Sequence, residues 1–113
     1  MKRMAIMAAV LAAGADATPF DGLYRPAFGG WSCERSQLGM VGGALGIVDE
    51  AIHGVENTCR LSNAVPVRDM DAVLYDERCE GEGSASAGRV MLMRSADGVL
   101  IVRDGTVTSW LNC

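Results

Sequence analysis

The 113-residue sequence is poor in lysine and histidine, and its shortage of basic residues and of histidine excludes two classes of protein. Lys2 is the only lysine, and 14 acidic residues outnumber 10 basic ones, giving a formal net charge of −4. An acidic surface repels nucleic-acid phosphates, so a nucleic-acid partner is excluded first. His53 is the only histidine and no Gly-x-Ser-x-Gly sequence occurs, so a Ser-His-Asp hydrolase lacks its signature. No catalytic residue is predicted.

Closely spaced cysteines are also missing. Cys33, Cys59, Cys79 and Cys113 form no Cys-x-x-Cys or Cys-x-x-His pair, which zinc ribbons and thioredoxin-like sites require. The even number of cysteines instead predicts two structural disulfides and an oxidising compartment. Four cysteines allow three pairings, and the sequence alone does not choose between them. We expect Cys33–Cys59 and Cys79–Cys113, because a hairpin over residues 44–59 would return Cys59 towards the first strand.

Only one long apolar run is present, at residues 4–13, and it is shorter than the roughly 20 residues that span a membrane. Lys2 and Arg3 precede it, and Ala15-Asp16-Ala17 follows as a small-x-small cleavage site. The pattern predicts a signal peptide over residues 1–17 and one small domain over residues 18–113, periplasmic or secreted, without a transmembrane segment. Removing Lys2, Arg3 and Asp16 with the signal changes the formal charge from −4 to −5.

Short β-prone runs between turn residues predict an all-β fold, a small antiparallel barrel or sandwich stapled by two disulfides. Three dipeptides between apolar runs predict hairpins, namely Asp49-Glu50, Asp97-Gly98 and Asp104-Gly105. The expected strands are residues 28–33, 44–48, 51–61, 72–79, 89–94, 99–103 and 106–111. Residues 18–25, 62–71 and 80–88 are expected to be connections.

The most distinctive polar segment is residues 80–88, Glu-Gly-Glu-Gly-Ser-Ala-Ser-Ala-Gly. Binding residues concentrate on loops, and exposed carboxylates attract cationic partners. We therefore expect partner contacts from Glu80, Glu82, Ser84, Ser86 and Arg89. The predicted function is non-catalytic binding, in which the domain docks on or inhibits another envelope protein. The oligomeric state and the partner's identity stay open.

A copper-binding protein is the alternative hypothesis. Met91 and Met93 are two residues apart, so on a strand both thioethers would lie on one face and could meet a soft metal ion. His53 is the third candidate ligand. Methionine also fills gaps in a core, which favours a structural role and predicts no cofactor. Trp31 and Trp110 are likewise expected in the core.

The spacing of these residues resembles a set of small exported disulfide-bonded β-domain proteins of Gram-negative bacteria that have no established activity. The resemblance rests on Gly30-Trp31-x-Cys33, Gly54-Val55-Glu56-x-x-Cys59, residues 79–83 and Trp110-x-x-Cys113. It implies a disulfide-bonded β-domain in an exported protein.

A second, weaker resemblance is to periplasmic lysozyme inhibitors, which are small disulfide-bonded β-barrels. Their Ser-Gly-x-x-Tyr loop, which enters the lysozyme cleft, is partly matched by residues 86–90, Ser-Ala-Gly-Arg-Val. An alanine is inserted and the tyrosine is missing, so the match departs from the inhibitors at the recognition residues.

Overall fold

A computed structural model describes residues 17–113, which form one closed antiparallel barrel of eight strands. Each strand pairs with the next along the chain, and the last pairs with the first. The strands are β1 (Gly22–Arg25), β2 (Leu45–Val48), β3 (Ala51–Gly54), β4 (Asn57–Pro66), β5 (Ala72–Gly81), β6 (Ser84–Arg94), β7 (Gly98–Arg103) and β8 (Thr106–Asn112). The all-β prediction is confirmed.

Residues 17–113 contain no α-helix, only a short 3₁₀ turn at Arg35–Gln37. This part of the chain has no helix that is long and apolar enough to cross a membrane. The signal peptide predicted over residues 1–17 lies outside the described residues, apart from Ala17.

Alternation along each strand separates the interior of the barrel from its outer face. On β6, Val90 and Leu92 are buried. Met91 and Met93, which alternate with them, are only half-buried and lie on the outer face. Inward side chains from the other strands meet them in one core. Trp110 is buried there, as predicted, whereas Trp31 is only partly buried and packs against the outside of the core.

The three predicted hairpins are confirmed. Asp49 and Glu50 both have positive φ, 54° and 59°, which matches the type I′ turn that joins twisted strands through two residues. The segment after residue 88 forms the predicted three-stranded meander, β6 to β8, with turns around Asp97 and at Asp104-Gly105. Local turn chemistry therefore sufficed at these three turns.

The start of the domain differs from the prediction. The first strand is β1, inside the expected lead-in 18–25, and residues 28–33 are irregular. β1 pairs on one side with β2 and on the other with β8, and these partners stabilise four residues that have a weak strand signal of their own. The chain between β1 and β2, residues 26–44, is a long connection.

Two further boundaries are wrong. The expected strand 51–61 is interrupted at Val55-Glu56, where Glu56 has a φ of 52° and the chain turns from β3 into β4. The expected connection 62–71 is mostly strand, because β4 continues to Pro66 opposite β5. An irregularity between Ser62 and Val65 bends β4, so the segment lacks the regular alternation that marks a strand.

The connection predicted at residues 80–88 is also wrong. β5 continues to Gly81 and β6 begins at Ser84, so Glu82-Gly83 alone forms the turn. Both turn residues have positive φ, 52° and 79°, as a type I′ turn requires. The paired strands hold ten opposing residue pairs, and this long ladder overrides the weak β-propensity of glycine and serine.

Both disulfides exist, but with a different pairing from the one expected. Cys33 bonds to Cys113 and Cys59 bonds to Cys79. Cys59 and Cys79 are directly opposite on β4 and β5, with Cα atoms 3.9 Å apart. Cys33 lies in the long β1–β2 connection, which returns to the end of β8. The prediction failed because it placed Cys33 on a strand that does not form.

We expect the Cys33→Ala/Cys113→Ala variant to lose more stability than the Cys59→Ala/Cys79→Ala variant. The first disulfide spans 80 residues and the second spans 20. In the chain-entropy model these loops are worth about 4.5 and about 3.3 kcal/mol. Urea unfolding of both oxidised variants measures the difference. A smaller loss in the Cys33→Ala/Cys113→Ala variant would contradict the expectation.

We expect stability to fall as the pH rises above about 10, the ordinary pKa of tyrosine. Burial raises the pKa of Tyr24 and of Tyr75, so the folded state favours the neutral phenols. Their stabilising effect is complete below the unfolded-state pKa and is lost as the pH rises through the folded-state pKa. Tyr24 also donates its hydroxyl proton to the Phe20 carbonyl, which a phenolate cannot do.

Thermal melts at about pH 8 and about pH 11 measure this loss. The Tyr24→Phe and Tyr75→Phe variants serve as controls and should lose less stability between the two pH values. An equal loss in wild type and in both variants would show that other groups cause the alkaline sensitivity.

Candidate functional site

Three turns lie together at one end of the barrel, which we call the hairpin end. They are the glycine-rich part of the β1–β2 connection (residues 38–43), the β3–β4 turn (Val55-Glu56) and the β5–β6 turn (Glu82-Gly83). The Glu56 amide donates to the Gly39 carbonyl at 3.0 Å. A Cβ at Gly81 would stand 2.5 Å from the Glu56 carbonyl oxygen, so this close approach requires glycine. The three turns thus form one continuous surface.

Large apolar side chains are exposed at the hairpin end. Val41 is 77% exposed, Met40 is 56% exposed and Val55 is 36% exposed. The backbone beneath them is fixed, because the Ser32 and Cys33 amides donate to the Gly42 and Gly43 carbonyls. The Cys33–Cys113 disulfide anchors the same connection to the end of β8. The apolar groups are therefore presented on an ordered connection.

Carboxylates flank these apolar groups. Glu56 follows Val55 in the β3–β4 turn, and Glu82 occupies the β5–β6 turn; both are exposed. Within residues 17–113 neither takes part in a salt bridge of 4.0 Å or less. The hairpin end therefore combines exposed apolar surface with negative charge that has no ion-pair partner in this part of the chain.

The five predicted partner-binding residues do not form one loop surface. Glu82 lies at the tip of the β5–β6 turn, and Glu80 and Arg89 lie on the outer face of the barrel wall. Ser84 and Ser86 alternate along β6 with the outward-facing residues, so their side chains lie on the inner face of the β5–β6 hairpin. Only Glu82 belongs to the hairpin end with Glu56. The segment that resembles the lysozyme-inhibitor loop, residues 86–90, is strand.

One edge of β6 is free near this end. The ladder between β6 and β7 begins at Met91, opposite Val102, and β7 ends one residue later at Arg103, so in the described chain no strand forms ladder pairs with the β7 side of Ser84–Val90. On the other side the same residues pair with β5 throughout. The free edge borders an open groove of about 750 Å³, whose lining includes Gly88, Met91 and Val102.

An ion pair between Glu77 and Arg103 lies beside this groove. The Glu77 carboxylate is 5% exposed and accepts hydrogen bonds from Arg103 Nε at 2.6 Å and from Nη2 at 3.0 Å. Arg103 Nη2 also lies 3.7 Å from Cys59 Sγ. The bidentate geometry compensates the buried charge on Glu77. Because both cysteines beside Glu77 form a disulfide, this cluster has no thiolate to offer a metal ion.

The candidate copper ligands lie far apart. Met91 and Met93 share the outer face of β6, as predicted. His53 lies on β3, and its row in the sheet runs through Thr58 and Glu80 to Ala85 on β6. His53 is therefore three strand positions from β6, or roughly 14 Å, and six residues from the row of Met91. One metal ion cannot contact all three side chains.

His53 also lacks the surroundings of a general base. Its Nε2 atom lies 3.3 Å from the Val48 carbonyl oxygen. A Ser-His-Asp arrangement would instead place a serine hydroxyl and a carboxylate on the two ring nitrogens. Neither contact occurs among residues 17–113.

We expect Arg103→Ala to destabilise the fold by about 3 kcal/mol, because it leaves the Glu77 carboxylate buried without compensation. The Glu77→Gln/Arg103→Gln variant keeps polar partners without charge and should lose less than the sum of the two single glutamine variants. Urea unfolding of the four proteins gives the coupling free energy. Additive losses would show that the pair is not coupled.

Comparison with known proteins yields no relative. No protein-family model, curated protein or solved structure matches this chain.

Proposed function

We propose that this protein is a non-catalytic binding domain of the periplasm or the secreted space that docks on another envelope protein through the hairpin end. The observation that carries the proposal is the exposure of Met40, Val41 and Val55 on ordered turns. A domain of this size buries most of its large apolar side chains, and exposed ones that cluster mark interaction surfaces. The two disulfides fit an oxidising compartment.

The charge of the surface defines the kind of partner. Glu56 and Glu82 flank the apolar groups, so a complementary partner has an apolar centre and lysine or arginine at its rim. Rim charges mainly speed association and make it sensitive to salt, whereas the apolar centre supplies most of the affinity. Of the residues predicted from the sequence, Glu82 belongs to this surface. Inhibition would follow if the partner's own active cleft receives the β1–β2 connection.

We expect Met40→Glu to weaken partner binding by about 2 kcal/mol or more, roughly thirtyfold in Kd, because it places a charge in the apolar centre. Met70→Glu is the matched control. Met70 is 50% exposed, close to the 56% of Met40, but lies in the β4–β5 turn at the opposite ends of the strands.

The measurement starts with capture from an envelope extract of the source cells, using the oxidised full-length export product. Titration of the purified partner against wild type and both variants follows. Wild type and Met70→Glu should bind equally, and Met40→Glu should bind roughly thirtyfold more weakly. Equal binding by all three proteins would remove the hairpin end from the proposal, and no stoichiometric partner of wild type would overturn the proposed function.

A further inference from the structure

The free edge of β6 presents a regular row of backbone hydrogen-bonding groups. In a type I′ hairpin the residues flanking the turn, Gly81 and Ser84, exchange both backbone hydrogen bonds, and the alternation then continues along the ladder. Ser84, Ser86 and Gly88 thus bond towards β5. The N–H and C=O groups of Ala85, Ala87 and Arg89 point away from β5, where no strand of the described chain meets them.

This edge lacks the features that protect the free edge of β4. On β4, Ser62–Pro66 also extends past its neighbour β3, but Pro66 removes a donor and the irregularity after Ser62 bends the strand. The β6 edge has neither a proline nor a bulge: its ten pairs with β5 run without a register shift. An unprotected, straight edge is a template for another strand.

We propose that the occupant of this edge is a second copy of the same chain, paired antiparallel about a two-fold axis at Ala87. In that register Ala87 pairs with Ala87 of the second copy, and Ala85 pairs with Arg89. Residue pairs of this kind use the groups that point outwards in both copies. This register uses the whole segment that has no ladder partner. Ser84 of each copy pairs with Val90 of the other, and the ladder with β7 begins at the next residue, Met91.

Charge complementarity supports this register. On the outer face, Glu80 lies directly opposite Ala85 and Asp76 lies directly opposite Arg89. When Arg89 pairs with Ala85 of the second copy, Glu80 of that copy lies one strand beyond Ala85. The Cα atoms of Arg89 and that Glu80 are then two strand spacings, or about 10 Å, apart. The small side chain of Ala85 lies between them and leaves room for both long side chains to meet.

Each Arg89 would then stand between two carboxylates. Within one copy its Nε atom is 3.4 Å from Asp76, in an exposed contact that leaves most of the guanidinium free. The two-fold axis repeats the new contact, so one dimer contains two Arg89–Glu80 pairs.

The groove at the end of the free edge gives the second copy room. Its volume is about 750 Å³, and its lining includes Ser86, Gly88 and Arg89, which belong to the segment that would pair with the second copy. The dimer does not depend on the proposed docking partner.

Sedimentation of the purified, oxidised protein tests the dimer directly, and wild type should show twice the monomer mass at high micromolar concentration. Glu80→Arg and Arg89→Glu should each weaken dimerisation at least tenfold, because each places like charges together twice. An equimolar mixture of the two variants should restore the dimer as a heterodimer, since every Arg–Glu pair is then re-formed. Thermal melts at concentrations low enough for wild type to be monomeric should match wild type and confirm that both variants fold.

Proline at the axis provides a test that does not involve charge. Ala87→Pro removes the outward N–H and should abolish the dimer, whereas the matched control Ala87→Thr retains the N–H and should dimerise. Amide exchange should be slowed at Ala85, Ala87 and Arg89 in the dimer. A monomeric wild type, or a mixture of the charge variants that stays monomeric, would overturn the proposal. These outcomes leave the hairpin-end partner untouched, so the two proposals fail separately.

Discussion

Closure of the barrel is the constraint on which the rest of the structure depends. β1 and β8 meet through only two residue pairs, Tyr24 with Asn112 and Arg25 with Leu111, far fewer than the ten pairs between β5 and β6. The Cys33–Cys113 disulfide spans the same junction and ties the β1–β2 connection to the end of β8. A covalent bond thus supports the weakest pairing in the ring and orders the connection that carries Met40 and Val41.

Strand length explains where the two proposed interaction surfaces lie. β4, β5 and β6 are ten or eleven residues long, whereas β1, β2 and β3 have four each and β7 has six. The longer strands extend past their neighbours. This mismatch leaves part of β6 without a partner on its β7 side, and it places the β5–β6 turn beside the other two turns of the hairpin end. The Cys59–Cys79 disulfide and the Glu77–Arg103 pair stiffen the wall from which the hairpin extends.

Several parts of this arrangement followed from local sequence. Asp49-Glu50 and the two Asp-Gly dipeptides marked their hairpins, because turn type depends on the φ values that those few residues accept. The absence of close cysteine pairs marked disulfides rather than a metal site. The polar segment after Cys79 drew attention to the β5–β6 hairpin, but Glu-Gly-Glu-Gly was interpreted as a long connection although only Glu82-Gly83 turns. The exposed Met40 and Val41 were missed, since apolar residues beside glycine give no indication of exposure.

What the sequence by itself determined is the class of fold, the three hairpins marked by Asp49-Glu50, Asp97-Gly98 and Asp104-Gly105, and the fact that the cysteines pair. These depend on residues close together or on composition. Tertiary structure alone decided the pairing of Cys33 with Cys113, the strand at Gly22–Arg25 and the free edge of β6. Each of these depends on contacts between segments that are distant in the chain, where the partner, and not the local residues, supplies the stabilising bonds.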